Sequence, residues 1–127
     1  MPNAMNVVNE VYSAFRRGDV AGVMKLVSDE VDWRVVAGPS SLPYATTCRT
    51  CEEVGCYLED LLAAEEIVQF EPREYIDAGN KIVVVGFVEV VIKETKKRFE
   101  SEWVHIFTVE DDKITRWLEF FDTAAHG

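Results

Sequence analysis

The stretch FESEWVHIFTVEDDKITRWLEFFD, residues 99–122, constrains this chain more than any other. Two runs rich in Trp, Phe, Val, Ile and Thr flank Glu110, Asp111 and Asp112, a pattern that reads as a β-hairpin closed by a three-residue loop. The last residue of such a loop takes the left-handed region, which Asp tolerates and Gly adopts more readily. This loop length sets a register: Val109 opposite Lys113, Phe107 opposite Thr115, His105 opposite Trp117 and Trp103 opposite Glu119. Side chains two apart share a face, so Trp103, His105, Phe107 and Val109 are expected beside Thr115, Trp117, Glu119 and Phe121. Val104, Ile106, Thr108, Ile114, Arg116, Leu118 and Phe120 fall on the other face. Both faces hold more large apolar groups than an exposed sheet keeps, so both are expected to be covered.

The aromatic face contains one imidazole and one carboxylate. The register makes His105 and Glu119 diagonal cross-strand neighbours, roughly 7 Å apart at the backbone and within reach of each other's side chains. They are the candidate catalytic pair, with Glu119 taking a proton next to a carbonyl and His105 stabilising the oxyanion. The plainer alternative is that the two only satisfy one another inside the sheet.

Ahead of this hairpin the helical period dominates. Val8, Val11, Tyr12 and Phe15 mark an amphipathic helix over 5–17, with Arg16 and Arg17 at its carboxyl end and Gly18 as a left-handed cap. Asp19 then serves as N-cap of a short helix over 20–27, so Arg17-Gly18-Asp19 is a C-cap followed by an N-cap, not an adhesion motif. Residues 31–37 alternate as a strand, and the Pro- and Ser-rich segment 38–47 reads as one long loop that could gate a pocket or simply connect. A second long helix spans 50–66, with Thr50 and Glu53 in capping-box spacing and Val54, Tyr57, Leu58, Leu61 and Leu62 as its buried stripe. The period then alternates: strands at 67–77 and 81–93, turns at 78–80 and 94–97, and a loose tail from Thr123. Glu89, the one acid inside VVVGFVEVVI, is expected near an exposed rim and is a secondary site candidate.

Taken together these elements predict a single domain over 1–127 of α+β class, with a cone-shaped curved antiparallel sheet and three helices packed on its concave side. A bent sheet closed by helices leaves a concave interior suited to a ligand.

Charge and cysteines narrow the partners. A net charge of -10 argues against nucleic acid and against an anionic membrane, both of which select Lys and Arg patches. No apolar run approaches the roughly 20 residues that span a bilayer, and the amino-terminal residues have no signal-like pattern, so the expected location is cytoplasmic. Cys48, Cys51 and Cys56 are an odd, closely spaced set without a second CxxC or a nearby His pair. They read as reduced spectator thiols, and neither a metal nor a cofactor is expected.

At this point the chain resembles the nuclear-transport-factor-two-like superfamily, and within it the SnoaL-like and ketosteroid-isomerase-related proteins. The resemblance is carried by VYSAFRRGDVAGVMKLVSDEVDW, LPYATTCRTCEEVGCYLEDL and the hairpin. It implies an apolar cavity inside a cone, and a homodimer through the outer face of the sheet. Trp33 and Val35 would line the cavity, with Tyr57 from the long helix and Trp103, Phe107, Trp117 and Phe121 from the hairpin. In ketosteroid isomerases a Tyr on the first helix, an Asp base on the first strand and a second Asp do the chemistry. Those positions fall here on Val11, Val35 and His105, which argues against steroid isomerisation by that route. The Arg and Asp set of limonene epoxide hydrolases has no counterpart either. The SnoaL-like polyketide cyclases, with a carboxylate base near an imidazole, stand closer to His105 and Glu119. The resemblance therefore implies cofactor-independent isomerase- or cyclase-type chemistry on a small hydrophobic carbonyl compound. The alternatives are a non-catalytic ligand-binding or dimerisation module of the same fold and, further off, a protein-interaction adaptor with an exposed apolar patch.

Overall fold

The computed structural model of the chain describes residues 4–36 and 46–121. The expected gating loop falls almost wholly outside these residues, as does the expected loose tail. Among the described residues no helix is long and apolar enough to cross a membrane.

The first helix, α1 (Ala4–Arg16), buries Val7, Val8, Val11, Tyr12 and Ala14 along one stripe. Gly18 follows at φ +69°, and Asp19 caps α2 (Val20–Met24) by accepting from the Gly22 amide at 2.9 Å, so the cap-to-cap reading of residues 17–19 holds. This second helix stops short of residue 27 because the chain there enters β1 (Val27–Val36). A short strand, β2 (Thr46–Thr50), pairs with β1 where the sequence suggested only the end of a loop. Next comes α3 (Cys51–Ala64), capped by Thr50, whose hydroxyl accepts from the Glu53 amide at 3.1 Å. Glu53 reaches back to the Arg49 amide at 2.7 Å, one residue earlier than a standard capping box. Four strands complete the chain: β3 (Glu65–Ala78), β4 (Lys81–Ile92), β5 (Arg98–Glu110) and β6 (Lys113–Phe121).

The six strands form one curved sheet in the order β2-β1-β6-β5-β4-β3, with the helices on one face. Every neighbouring pair is antiparallel except β1 and β6, which run parallel. A purely antiparallel sheet was expected. The mixed sheet arises because β1 and β6 are not joined by a hairpin, so no tight turn dictates their direction.

The hairpin departs from its expected register in two places. Asp111 and Asp112, at φ 52° and 62°, make a two-residue turn that sets Glu110 opposite Lys113. A bulge then leaves Thr115 unmatched between the pairs Val109/Ile114 and Thr108/Arg116. The first change turns Ile114 inward, where it is fully buried, contrary to the expected face. The second moves the register one further, so beyond the bulge the total displacement is even and the expected faces return. His105 consequently lies directly opposite Glu119, not diagonal to it, and Trp103 opposite Phe121.

Gly86 makes room for the aromatic interior. It pairs with Trp103, and a Cβ there would stand 2.3 Å from the indole and 2.5 Å from the Glu71 carbonyl oxygen. Glu89 is not at a free rim: it is ion-paired to Arg98 at 2.8 Å with its side chain only 12% exposed. On the outer face Val36 and Phe120 are register partners and remain 38% and 41% exposed. Asp32 bridges Arg34 and Arg116 beside them at 2.9 and 3.3 Å.

Candidate active site

Alternation along β1, β5 and β6 sends Trp33, Trp103, His105, Phe107 and Trp117 under the helices, where all five are buried. The imidazole of His105 stacks on Trp103 at a centroid distance of 3.9 Å and lies 4.9 Å from Trp117, itself stacked on Trp33 at 4.2 Å. Phe70 of β3 covers Trp103 from 5.1 Å.

One polar chain crosses this aromatic interior. The Tyr12 hydroxyl is 2.8 Å from His105 Nδ1, and His105 Nε2 is 2.7 Å from Glu119 Oε2. The His105 side chain is 5% exposed and that of Glu119 is 21% exposed. With Glu119 ionised it only accepts, so Nε2 carries the imidazole proton and Nδ1 accepts from the phenol, an assignment that rests on hydrogen-bond pairing. Tyr12 is suited to hold its proton, since burial first of all, then the nearby Tyr75 and Glu119, push its pKa well up against the opposing pull of Arg16. Each nitrogen of the imidazole is thereby engaged within the protein.

Two adjoining cavities open beside this chain. One, of about 110 Å³, is lined by Val35, Trp103 and Phe121 together with Glu65 and Glu119. Another, of about 70 Å³, is lined by Trp33, Phe107 and Trp117 with Tyr12 and His105. Phe15, Tyr57, Leu61, Phe70 and Glu119 border both, which places the Glu119 carboxylate where the two compartments meet. All seven expected lining residues and both expected polar residues therefore surround one hydrophobic pocket region.

Three participants were not singled out from the sequence. Tyr12 was recognised only as part of a buried helical stripe, although a phenol in a core needs a partner for its hydroxyl, and that was the available signal. Val11, which the ketosteroid-isomerase resemblance aligned with a tyrosine, is buried against the second compartment, and its neighbour supplies the phenol instead. Glu65 looked like one more acid on a solvated helix. Its position as the first residue of β3 turns it to the larger compartment, where burial and then Glu119 raise its carboxyl to about 6. Phe70 offered no signal beyond its place in an alternating strand.

The cysteines take no part. Cys48 is buried and Cys51 half-buried, and their thiols donate to the carbonyls of Glu53 and Met24 at 3.6 and 3.2 Å. Burial, with Glu53 next, pushes Cys48 up to about 11, so it stays a neutral thiol near neutral pH. Among the described residues no three His, Cys, Asp or Glu side chains group as a metal site.

The model of the SnoaL-like domain matches residues 8–117. The chain belongs to the SnoaL-like domain family. This SnoaL-like chain is 30% identical to an NTF2-like protein of Burkholderia xenovorans LB400, with a TM-score of 0.85 over 96% of its own length and 91% of the other. An NTF2-like protein of Burkholderia thailandensis E264 is 26% identical, with a TM-score of 0.86 over 99% and 95% of the two chains. TerC, crystallised with polyporic acid, is 25% identical, with a TM-score of 0.83 over 97% and 94%. No curated protein matches the SnoaL-like chain.

Proposed function

We propose that this protein is a cofactor-independent enzyme that moves a proton on a small, largely apolar carbonyl compound, with Glu119 as the base. The observation that carries the reading is the hydrogen-bonded chain Tyr12, His105, Glu119, which ends in a carboxylate at the junction of two apolar compartments. His105 acts through Glu119: it orients one carboxylate oxygen and leaves the other for substrate. An oxyanion role for His105 would need a free ring N–H, and both nitrogens are already engaged. An apolar cavity of about 150 Å³ holds one benzene ring, so the two compartments suit a monocyclic or compact bicyclic compound. The relative crystallised with polyporic acid supports reading the cavity as a small-molecule site.

Hydrogen exchange at an activated C–H tests this without knowledge of the natural substrate. In deuterated buffer, 2-tetralone should gain deuterium next to its carbonyl in the presence of the protein, and Glu119→Gln should remove that gain while keeping the fold. Undiminished exchange by the variant would sink the proposal.

A second reading, a ligand-binding module without catalysis, is favoured by the full internal pairing of His105. It predicts that Glu119→Gln and His105→Gln both retain a co-purified small molecule in native mass spectrometry. For either reading we propose a homodimer through the outer sheet face, on the strength of the half-exposed Val36 and Phe120. Sedimentation of wild type against Phe120→Lys checks it: the variant should run as a monomer.

A further inference from the structure

A base that takes a proton beside a carbonyl leaves charge on the carbonyl oxygen, and some group must neutralise it. His105 is engaged on both sides, so the donor has to be sought elsewhere in the same hollow. The larger compartment contains a second carboxyl group, Glu65, on the strand that follows α3. Its backbone N–H donates to the Leu61 carbonyl at the end of α3, and the residue lines the larger compartment.

We propose that Glu65, in its protonated form, is the general acid of this site and delivers a proton to the substrate oxygen while Glu119 removes one from carbon. The inference rests on the reading of Glu119 as the base. The substrate C–H bond breaks as a Glu119 O–H bond forms, and the Glu65 O–H bond breaks as the enol O–H forms. Reversal at another carbon returns both protons, so the isomerisation needs no further reactant. The substrate class is accordingly an enolisable ketone, with the acidic C–H and the carbonyl oxygen facing opposite carboxyl groups.

Where the two acids stand and what surrounds each carry this. Both carboxyl groups line the 110 Å³ compartment, and they belong to different strands. Their surroundings differ: Glu119 accepts from an imidazole, whereas Glu65 is raised by burial and then by Glu119, with no lowering by a cation among the described residues. Tyr57 on α3 is near both acids and is itself kept neutral, pushed well up by burial and then by Glu119 and Glu65. Lys93, which follows the β4 partner of Glu65, donates its ammonium to the Leu62 carbonyl at 3.1 Å. Burial and the facing Glu119 hold Glu65 at about 6, a value at which it keeps a useful share of its proton near neutrality. The Trp103 indole, which also lines this compartment, has a buried N–H with no hydrogen-bond partner among the described residues, as does Trp33 on the smaller one.

The test is deuterium incorporation into 2-tetralone between pH 4.5 and 8, corrected for the uncatalysed rate, for wild type, Glu65→Gln and Glu119→Gln. Wild type should lose exchange as the pH rises past about 6. Glu65→Gln should be at least about tenfold slower at pH 5 and lack that decline, and Glu119→Gln should be inactive. If Glu119→Gln is inactive and Glu65→Gln matches wild type at every pH, Glu65 is not the acid and the reading of Glu119 stands. If Glu119→Gln still exchanges, or wild type does not, the function itself is wrong and this inference goes with it. Carboxyl-carbon NMR of the ligand-free protein reads the pair directly. The Glu65 midpoint should be raised and should fall in Glu119→Gln, and an ordinary midpoint that ignores Glu119 overturns the pairing.

Discussion

The two compartments share a wall and a carboxylate but differ in how their polar groups are treated. In the smaller one, Tyr12, His105 and Glu119 satisfy each other in an unbroken line. In the larger one, Glu65 faces a like charge, and each compartment has one buried indole N–H, of Trp103 and of Trp33, without a partner among the described residues. Buried polar atoms are nearly always paired, because an unpaired one costs about 1–3 kcal/mol. The contrast teaches a division of labour: the smaller compartment builds and orients the base, and the larger one holds a second carboxyl group that burial and Glu119 keep protonated more readily. Polar atoms on the two sides should therefore respond oppositely to removal.

The largest effect is expected where the two regions join. Glu119→Gln should lower proton-exchange activity by at least about 100-fold with the fold intact, the scale typical of losing a general base. Steady exchange assays beside circular dichroism check it, and retained activity would mean that the junction is only structural.

Next in size is Tyr12→Phe, which leaves the buried Nδ1 of His105 without its donor. Stability should fall by about 1–3 kcal/mol in urea unfolding. A neutral result would show that the phenol does not satisfy His105.

Glu65→Gln should act the other way. The fold raises this carboxyl from 4.5 to about 6, so the folded state binds its proton more tightly than the unfolded state. Wild-type stability is then full below about pH 4.5 and declines as the pH rises through 6. The variant escapes that decline and should be more stable at pH 8 by about 1 kcal/mol, after discounting for partial exposure, with the difference gone at pH 4. Denaturation at both pH values decides it, and a variant less stable at pH 8 would contradict the strain assigned to Glu65.

Smallest, and a control outside both compartments, is Asp112→Gly in the β5–β6 turn. With φ at 62° the glycine should add a few tenths of a kcal/mol and leave exchange unchanged. An altered exchange rate would mean that the turn controls the register of His105 and Glu119 at a distance.

The hairpin shows how far local reading carries. Period-two alternation assigned Trp103, His105, Phe107, Trp117, Glu119 and Phe121 to one face without any knowledge of partners, and they do share it. The assumed turn was one residue too long and the bulge at Thr115 went unseen, two errors of the same sense that restored the parity beyond the bulge. Ile114, lying between the turn and the bulge, met only one of them and so was assigned to the wrong side. For Glu65 the failure has another cause. Acidic neighbours on α3 made it look solvated, and only the change from helix to strand at that residue turns it inward.

What the sequence determined by itself were the things that depend on near neighbours: helix stripes, the caps at Gly18, Asp19 and Thr50, the faces of the last two strands and the α+β class. Tertiary structure decided the parallel meeting of β1 and β6, the phenol that reaches His105 across 93 positions, and the approach of Glu65 to Glu119. Those depend on which distant surfaces come together. Periodicity says which way a side chain faces, and packing alone says what it faces.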